Sequence, residues 1–116
     1  MLSQPTPRVD IMAIHWYGGV TASTFLAHID AVWIKYGKPI WVTEFASAIW
    51  GSTAGGYDVN LVKTFIVAAC AGLDERPYVE RYTWKSRPTS DPEMGTSGLW
   101  NDDSTLTALG QIYALL

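Results

Sequence analysis

Gly37-Lys38-Pro39-Ile40-Trp41-Val42-Thr43-Glu44-Phe45-Ala46 is the stretch on which the fold turns. Gly37 and Pro39 interrupt whatever precedes them. Ile40 to Val42 is a short apolar run of β-branched and aromatic residues, the pattern of a buried strand. The run ends on a carboxylate. Burying an unpaired polar group costs about 2–7 kcal/mol, and a charged one costs more. Glu44 is therefore expected at the open end of a strand, held by partners or engaged in chemistry. Catalytic groups of α/β barrels sit at the carboxyl ends of the strands.

Outward from that strand, the same pattern recurs. Upstream, Ile11 to Ile14 is a second apolar run, expected to be buried on both faces. It ends in His15-Trp16-Tyr17 and a Gly18-Gly19 turn. Between the two strands, Phe25, Leu26, Ile29, Val32, Trp33 and Tyr36 recur at helical spacing, predicting a helix over 21–36 that Gly37 stops. Trp33 is assigned to its core-facing stripe. Downstream, Ala46 to Tyr57 reads as a flexible, glycine-rich loop. Asp58 is a good N-cap for a helix over 59–73, whose stripe is Leu61, Val62, Phe65, Ile66, Ala69 and Leu73. Tyr78 to Lys85 is a third, more polar strand candidate. Ser86 to Gly98 is a long loop, and Asn101 to Ser104 offers caps for a last helix with Leu106, Leu109, Ile112, Tyr113 and Leu116 on its stripe. Residues 1–8, with Pro5 and Pro7, read as an approach segment.

The resulting order is β-α-β-α-β-loop-α, which predicts parallel strands joined by right-handed crossovers. The chain has 116 residues, enough for one domain at most, and is 48% hydrophobic and only 16% charged, as a chain with a real core should be. A net charge of -3 gives no reason to expect nucleic acid or an anionic membrane surface as partner. One cysteine, Cys70, excludes an internal disulfide framework and any multi-cysteine metal site, and its helical, apolar setting marks it as a small hydrophobe. No signal peptide and no bilayer-spanning run is present in these residues. Neither phosphate-binding glycine motif occurs, so no cofactor is expected.

Three strands do not close a barrel, which takes eight and about 250 residues. The expected fold class is therefore α/β, a partial (β/α)8 TIM barrel, with residues 1–116 forming the C-terminal part of a catalytic domain whose earlier units lie upstream.

Three strand-end segments together resemble a known family. They are Val9-Asp10-Ile11-Met12-Ala13-Ile14-His15-Trp16-Tyr17-Gly18, then Tyr36 through Ala46, then Val79-Glu80-Arg81-Tyr82-Thr83-Trp84. They are similar to the Asl-like glycosyl hydrolase catalytic core, glycoside hydrolase family 128 of the clan A barrels. The segments Ser97 to Trp100 and Leu106 to Tyr113 are similar to its C-terminal helix region. The resemblance implies a β-1,3-glucanase-like hydrolase of secreted or cell-wall location, acting on a β-glucan polysaccharide. It places the three strands sixth to eighth in the barrel. It implies Glu44 as the nucleophile, His15, Trp16 and Tyr17 as a wall of the site, and Trp84 as a sugar platform; Tyr82, an aromatic on the same strand as Trp84, is a further candidate for substrate binding. The family's acid/base glutamate lies in an Asn-Glu motif. No such dipeptide occurs here, so the motif is expected upstream, and the chain alone is expected to be inactive.

Plainer readings stand beside these. Glu44 could form an ion pair with Arg81 on the neighbouring strand. His15 could be a satisfied core histidine, and each aromatic could fill a core. Glu80 is a weak candidate for the acid. No metal site is expected, since His28 lies on a helix away from any ligand cluster. The alternative function is a non-catalytic β-glucan-binding protein that keeps only the aromatic wall.

Overall fold

The computed structural model describes residues 7–116; the leading part of the proline-containing approach segment lies outside the described residues. The elements are β1 (Met12–Trp16), α1 (Ala22–Tyr36), β2 (Ile40–Phe45), α2 (Val59–Asp74), β3 (Val79–Trp84), a single 3₁₀ turn (Gly95–Ser97) and α3 (Ala108–Ala114). The strands form one parallel sheet in the order β1-β2-β3, so the strand carrying Glu44 is central.

Local chemistry accounts for the helix ends. The Asp58 carboxylate accepts from the Asn60 N–H at 2.8 Å, as an N-cap should. Gly37 ends α1 in the left-handed conformation at φ 60°, where a side chain would be strained, and its N–H returns to Trp33 O. The last helix differs from expectation. Its cap is Thr107, which accepts from Gly110 N at 3.0 Å. Asn101 to Ser104 instead turns the chain back, with Asn101 N donating to Thr105 O and Trp100 bridging antiparallel to Leu106.

One face of the sheet carries the core. Ile14, Ile40, Val42, Phe45 and Trp84 meet Phe25 and Ile29 of α1, Val62, Phe65, Ile66, Ala69 and Leu73 of α2, and Leu109 of α3. Phe25 stacks on Phe45 at 5.3 Å and 4°, and Phe65 closes the cluster edge-on to Phe25 at 5.9 Å. Burying each such ring contributes about 1.5–3 kcal/mol. α1 and α2 approach closely at Gly72, where an added Cβ would lie 2.3 Å from Leu26 Cδ1. Cys70 of α2 is buried, and burial pushes its thiol up to about 11, so it stays a protonated hydrophobe.

Two expectations are corrected by this packing. The apolar strands are covered on one face only; Ala13, His15, Thr43, Arg81 and Thr83 are exposed on the other. Trp33 is not core. It lies at the surface and stacks on Tyr78 at 4.9 Å, over a network in which Arg76 grips Asp30 through Nε at 2.7 Å and Nη2 at 3.0 Å.

Candidate active site

The carboxyl ends of the three strands lie side by side, and the loops that follow them are laced together. Ala46 N donates to Trp16 O at 3.0 Å, and Lys85 N to Phe45 O at 2.9 Å. Beneath them sits a buried pair of serines. Ser97 Oγ donates to Ser47 O at 2.7 Å and accepts from Ser47 N at 3.3 Å, while Ser47 Oγ donates to Gly19 O at 3.2 Å. Every hydroxyl in this knot is satisfied, as buried polar groups must be. The loop after β2, read from sequence as flexible, is therefore tied to the loops after β1 and β3.

Glu44 owes its orientation to a bulge. Ile14 pairs with Val42, but the next pair is His15 with Glu44, so β2 holds one residue more than β1 at this point. The same surplus appears against β3, where Val42 pairs with Tyr82 and Phe45 with Trp84. Strict alternation from the buried Val42 would send Glu44 into the helix-covered face and Phe45 out of it. The extra residue reverses both, which is how bulges re-aim a side chain. Thr43 Oγ1, at the bulge, donates to Ile14 O at 3.4 Å.

So placed, Glu44 is about one-third exposed and meets two side chains from the end of β1. The Tyr17 hydroxyl donates to Oε1. His15 Nε2 lies 3.4 Å from Oε2. The Tyr17 hydrogen bond holds the carboxyl below the usual glutamate range against the cost of partial burial, and the charges of His15, Lys85 and Arg87 act in the same direction. Tyr17 moves oppositely. Burial, then the bond to Glu44, push its phenol up to about 12, so it remains a donor at neutral pH. The arrangement is an anionic carboxylate at a strand end, gripped on one oxygen and surrounded by positive charge. Such a group can act as a nucleophile or stabilise a developing cation.

The ion pair of Glu44 with Arg81 does not form. Arg81 instead lies over the Trp41 ring at 5.1 Å, and Trp41 Nε1 donates to Glu80 at 3.1 Å. Of the six candidate site residues, the structure brings together Glu44, His15 and Tyr17. The other three are elsewhere. Trp84 is only 3% exposed, set edge-on against Phe45 with its Nε1 donating to Ser97 O at 2.8 Å, so it offers no face to a sugar. Tyr82 also stands edge-on to Phe45, and its hydroxyl donates to Asp74 at the end of α2 at 2.8 Å. Trp16 turns under α1, 5.6 Å from Phe25 and 5.3 Å from His28. Its indole packs so tightly on Gly18 that a Cβ there would lie 2.6 Å away. All three belong to the covered side of the sheet by strand parity.

One feature escaped the sequence reading. Lys85 and Arg87 carry the positive field at Glu44 from the loop after β3, and only their position two steps around a strand end marks them. Trp50, on the loop after β2, leans on Tyr17 at 5.5 Å. Among the described residues no cluster of three or more potential metal ligands forms, and no helix is long and apolar enough to cross a membrane.

Comparison with known proteins gives a consistent picture. Residues 1–113 match the family model described as glycosyl hydrolase catalytic core. Alkali-sensitive linkage protein 1 of Schizosaccharomyces pombe is 35% identical over 108 residues, which cover 89% of this chain and 18% of that protein. A subgroup I endo-β-1,3-glucanase of glycoside hydrolase family 128 from Amycolatopsis mediterranei, solved as a glutamate-to-glutamine mutant with laminarihexaose, is similar at a TM-score of 0.78 and 28% identity. The match covers 93% of this chain and 45% of that one. A subgroup II endo-β-1,3-glucanase from Sorangium cellulosum is 32% identical at a TM-score of 0.70, covering 91% and 41%. The chain thus spans less than half the length of these relatives.

Proposed function

Since the chain belongs to the glycosyl hydrolase catalytic core family, we propose that it is the C-terminal part of a (β/α)8 barrel hydrolysing a β-1,3-glucan, contributing strands six to eight. The observation that carries this reading is Glu44. It is an ionised carboxylate at the carboxyl end of the central strand, turned by a bulge onto the face that the helices leave open. That exposed face is what the inner wall of an unclosed barrel would present. Partial coverage of every relative named above supports the same division.

In this reading Glu44 attacks the anomeric carbon and forms a glycosyl ester, which water then cleaves. Tyr17 keeps one oxygen fixed and the group ionised, leaving the other for attack. A second carboxyl about 5–5.5 Å away must protonate the leaving oxygen and later activate water. With no Asn-Glu dipeptide in these residues, the acid/base residue is assigned to the upstream part of the barrel, and the chain by itself should not hydrolyse glucan. Two solved mutants of the Amycolatopsis glucanase each replace one glutamate and hold laminari-oligosaccharides, which accords with a two-carboxylate site. The substrate would be a cell-wall or extracellular β-glucan, and the protein a secreted or wall-associated one.

The test is hydrolysis of laminarin by the full-length protein and its Glu44→Gln variant, followed by reducing-end release. Turnover should vanish while laminarihexaose binding persists. Retained turnover would remove Glu44 from the nucleophile role.

A further inference from the structure

Arg81 stands on the open face of the sheet, in one row with Ala13 of β1 and Trp41 of β2. Ala13 lies across from Trp41, and Trp41 across from Arg81. β3 reaches this row through a register shift of its own. Ile40 pairs with Val79 and Trp41 with Arg81, so Glu80 is surplus there. The Glu80 carboxylate accepts from Trp41 Nε1 at 3.1 Å, and the Arg81 guanidinium lies over the Trp41 ring at 5.1 Å. Trp41 is thus held by one charged residue of β3 and covered by the next. The ion pairs among the described residues take in Arg8, His15, Arg76 and Arg87, and Arg81 is in none of them. Residues 1–6 contain no Asp or Glu that could supply one. An exposed arginine needs no partner. An arginine enclosed in a packed barrel does, because an unpaired charge taken out of water is strongly disfavoured.

We propose that Arg81 is the docking point for a carboxylate on the first strand of the barrel, and that this ion pair joins the β3 edge to the upstream part of the protein. The proposal rests on the reading of the chain as strands six to eight. β3 is an edge strand, paired with β2 alone among the described residues. Closing an eight-stranded sheet brings its first strand beside its last, so β3 is the edge that receives it. Arg81 already has Trp41 on its β2 side, which leaves its N–H groups for the neighbour on the other side. A guanidinium presents its donors in a planar fork that a carboxylate matches with both oxygens. The row of Ala13, Trp41 and Arg81 lies nearer the amino ends of the strands than Glu44. Arg81 is also not among the charges that bear on the Glu44 carboxyl. The pair therefore closes the barrel without entering the chemistry.

The experiment is thermal unfolding of the full-length protein at about pH 5 and about pH 8, with hydrogen exchange followed at the β3 amides. In Arg81→Met the enclosed carboxylate loses its partner, and its folded pKa rises above the unfolded value. The cost then grows as pH climbs above the unfolded value and levels off above the raised folded one. Tm should therefore fall about twice as far at pH 8 as at pH 5. Arg81→Lys keeps the charge and should lose little at either pH. It carries the test if Arg81→Met does not fold, and a large loss in Arg81→Lys, equal at both pH values, overturns the pair. Glu44, His15 and Lys85 on the same side of the sheet are common to all these proteins. Glu80 adjoins Arg81, so the comparison is repeated in the Glu80→Gln background, where the pH difference should persist. Equal losses in Arg81→Met at the two pH values, or a difference that vanishes with Glu80→Gln, overturn the ion pair. Protected β3 edge amides would then leave the barrel reading standing. Edge amides that exchange freely in the unsubstituted full-length protein overturn the barrel reading and this proposal together.

Discussion

His15 pairs with Glu44 across the parallel ladder of β1 and β2, one residue out of step with the Ile14–Val42 pair before it. That single surplus residue decides which side of the sheet receives the carboxylate. Without it, Glu44 would lie against Phe25 and Phe65 in place of Phe45, where an unpaired charge is untenable. With it, Phe45 fills that place and Glu44 faces His15, Tyr17 and the open side.

Tyr17→Phe tests how Glu44 is kept ionised. The phenol's hydrogen bond favours the carboxylate, so removing it lets the Glu44 carboxyl rise toward its ordinary value. The acid limb of the kcat/KM profile of the full-length protein should then move to higher pH. The rate at the optimum should fall about ten- to a hundredfold as the nucleophile loses its orientation. An unmoved acid limb would show that Tyr17 does not tune the carboxylate.

Trp84 provides a test of core against platform. Trp84→Ala should cost about 3–5 kcal/mol in urea unfolding, as large-to-small core changes do. Trp84→Phe should cost less, about 1–3 kcal/mol, mostly through the Ser97 carbonyl left without its indole donor. KM for laminari-oligosaccharides should stay unchanged in Trp84→Phe. A raised KM with an unchanged Tm would restore Trp84 as a sugar contact.

The Asp30–Arg76 pair sets a pH dependence of stability. Arg76 first, then Tyr78, hold the Asp30 carboxyl below its usual range despite partial burial. The unfolded chain binds its proton at about pH 3.9. The pair's contribution is therefore complete above that value and is lost as pH falls through the lower folded one. In Arg76→Met, acid unfolding followed by circular dichroism should begin at higher pH. The loss at neutral pH should be about 1 kcal/mol, since the carboxylate is more than a third exposed and partly screened.

Much of this was legible in the residues. The alternation of apolar strands with 3.6-periodic stripes gave the βαβ order, and Gly37 and Asp58 marked helix ends through their own local chemistry. The end of β2 was marked by Glu44 itself. The register was not legible, because a bulge is a relation between strands and Thr43 carries no local sign of it. The misplacement of Trp16, Tyr82 and Trp84 has the same root: being near a strand's carboxyl end does not say which face a side chain takes. Asn101 to Ser104 looked like a cap because the residues that cap helices also build tight turns. The lacing of the loops through Ser47 and Ser97 joins residues 50 positions apart, beyond the reach of any local pattern.

The central claim is that Glu44 forms a bond to the sugar. It is tested most directly by incubating the full-length protein with a 2-deoxy-2-fluoro laminaribiosyl fluoride, which slows breakdown of a glycosyl ester, and mapping the labelled peptide by mass spectrometry. The account predicts one fluoroglycosyl adduct, on Glu44, and none in Glu44→Gln. An adduct on another carboxylate, or continued turnover of laminarin with Glu44 unmodified, would contradict it.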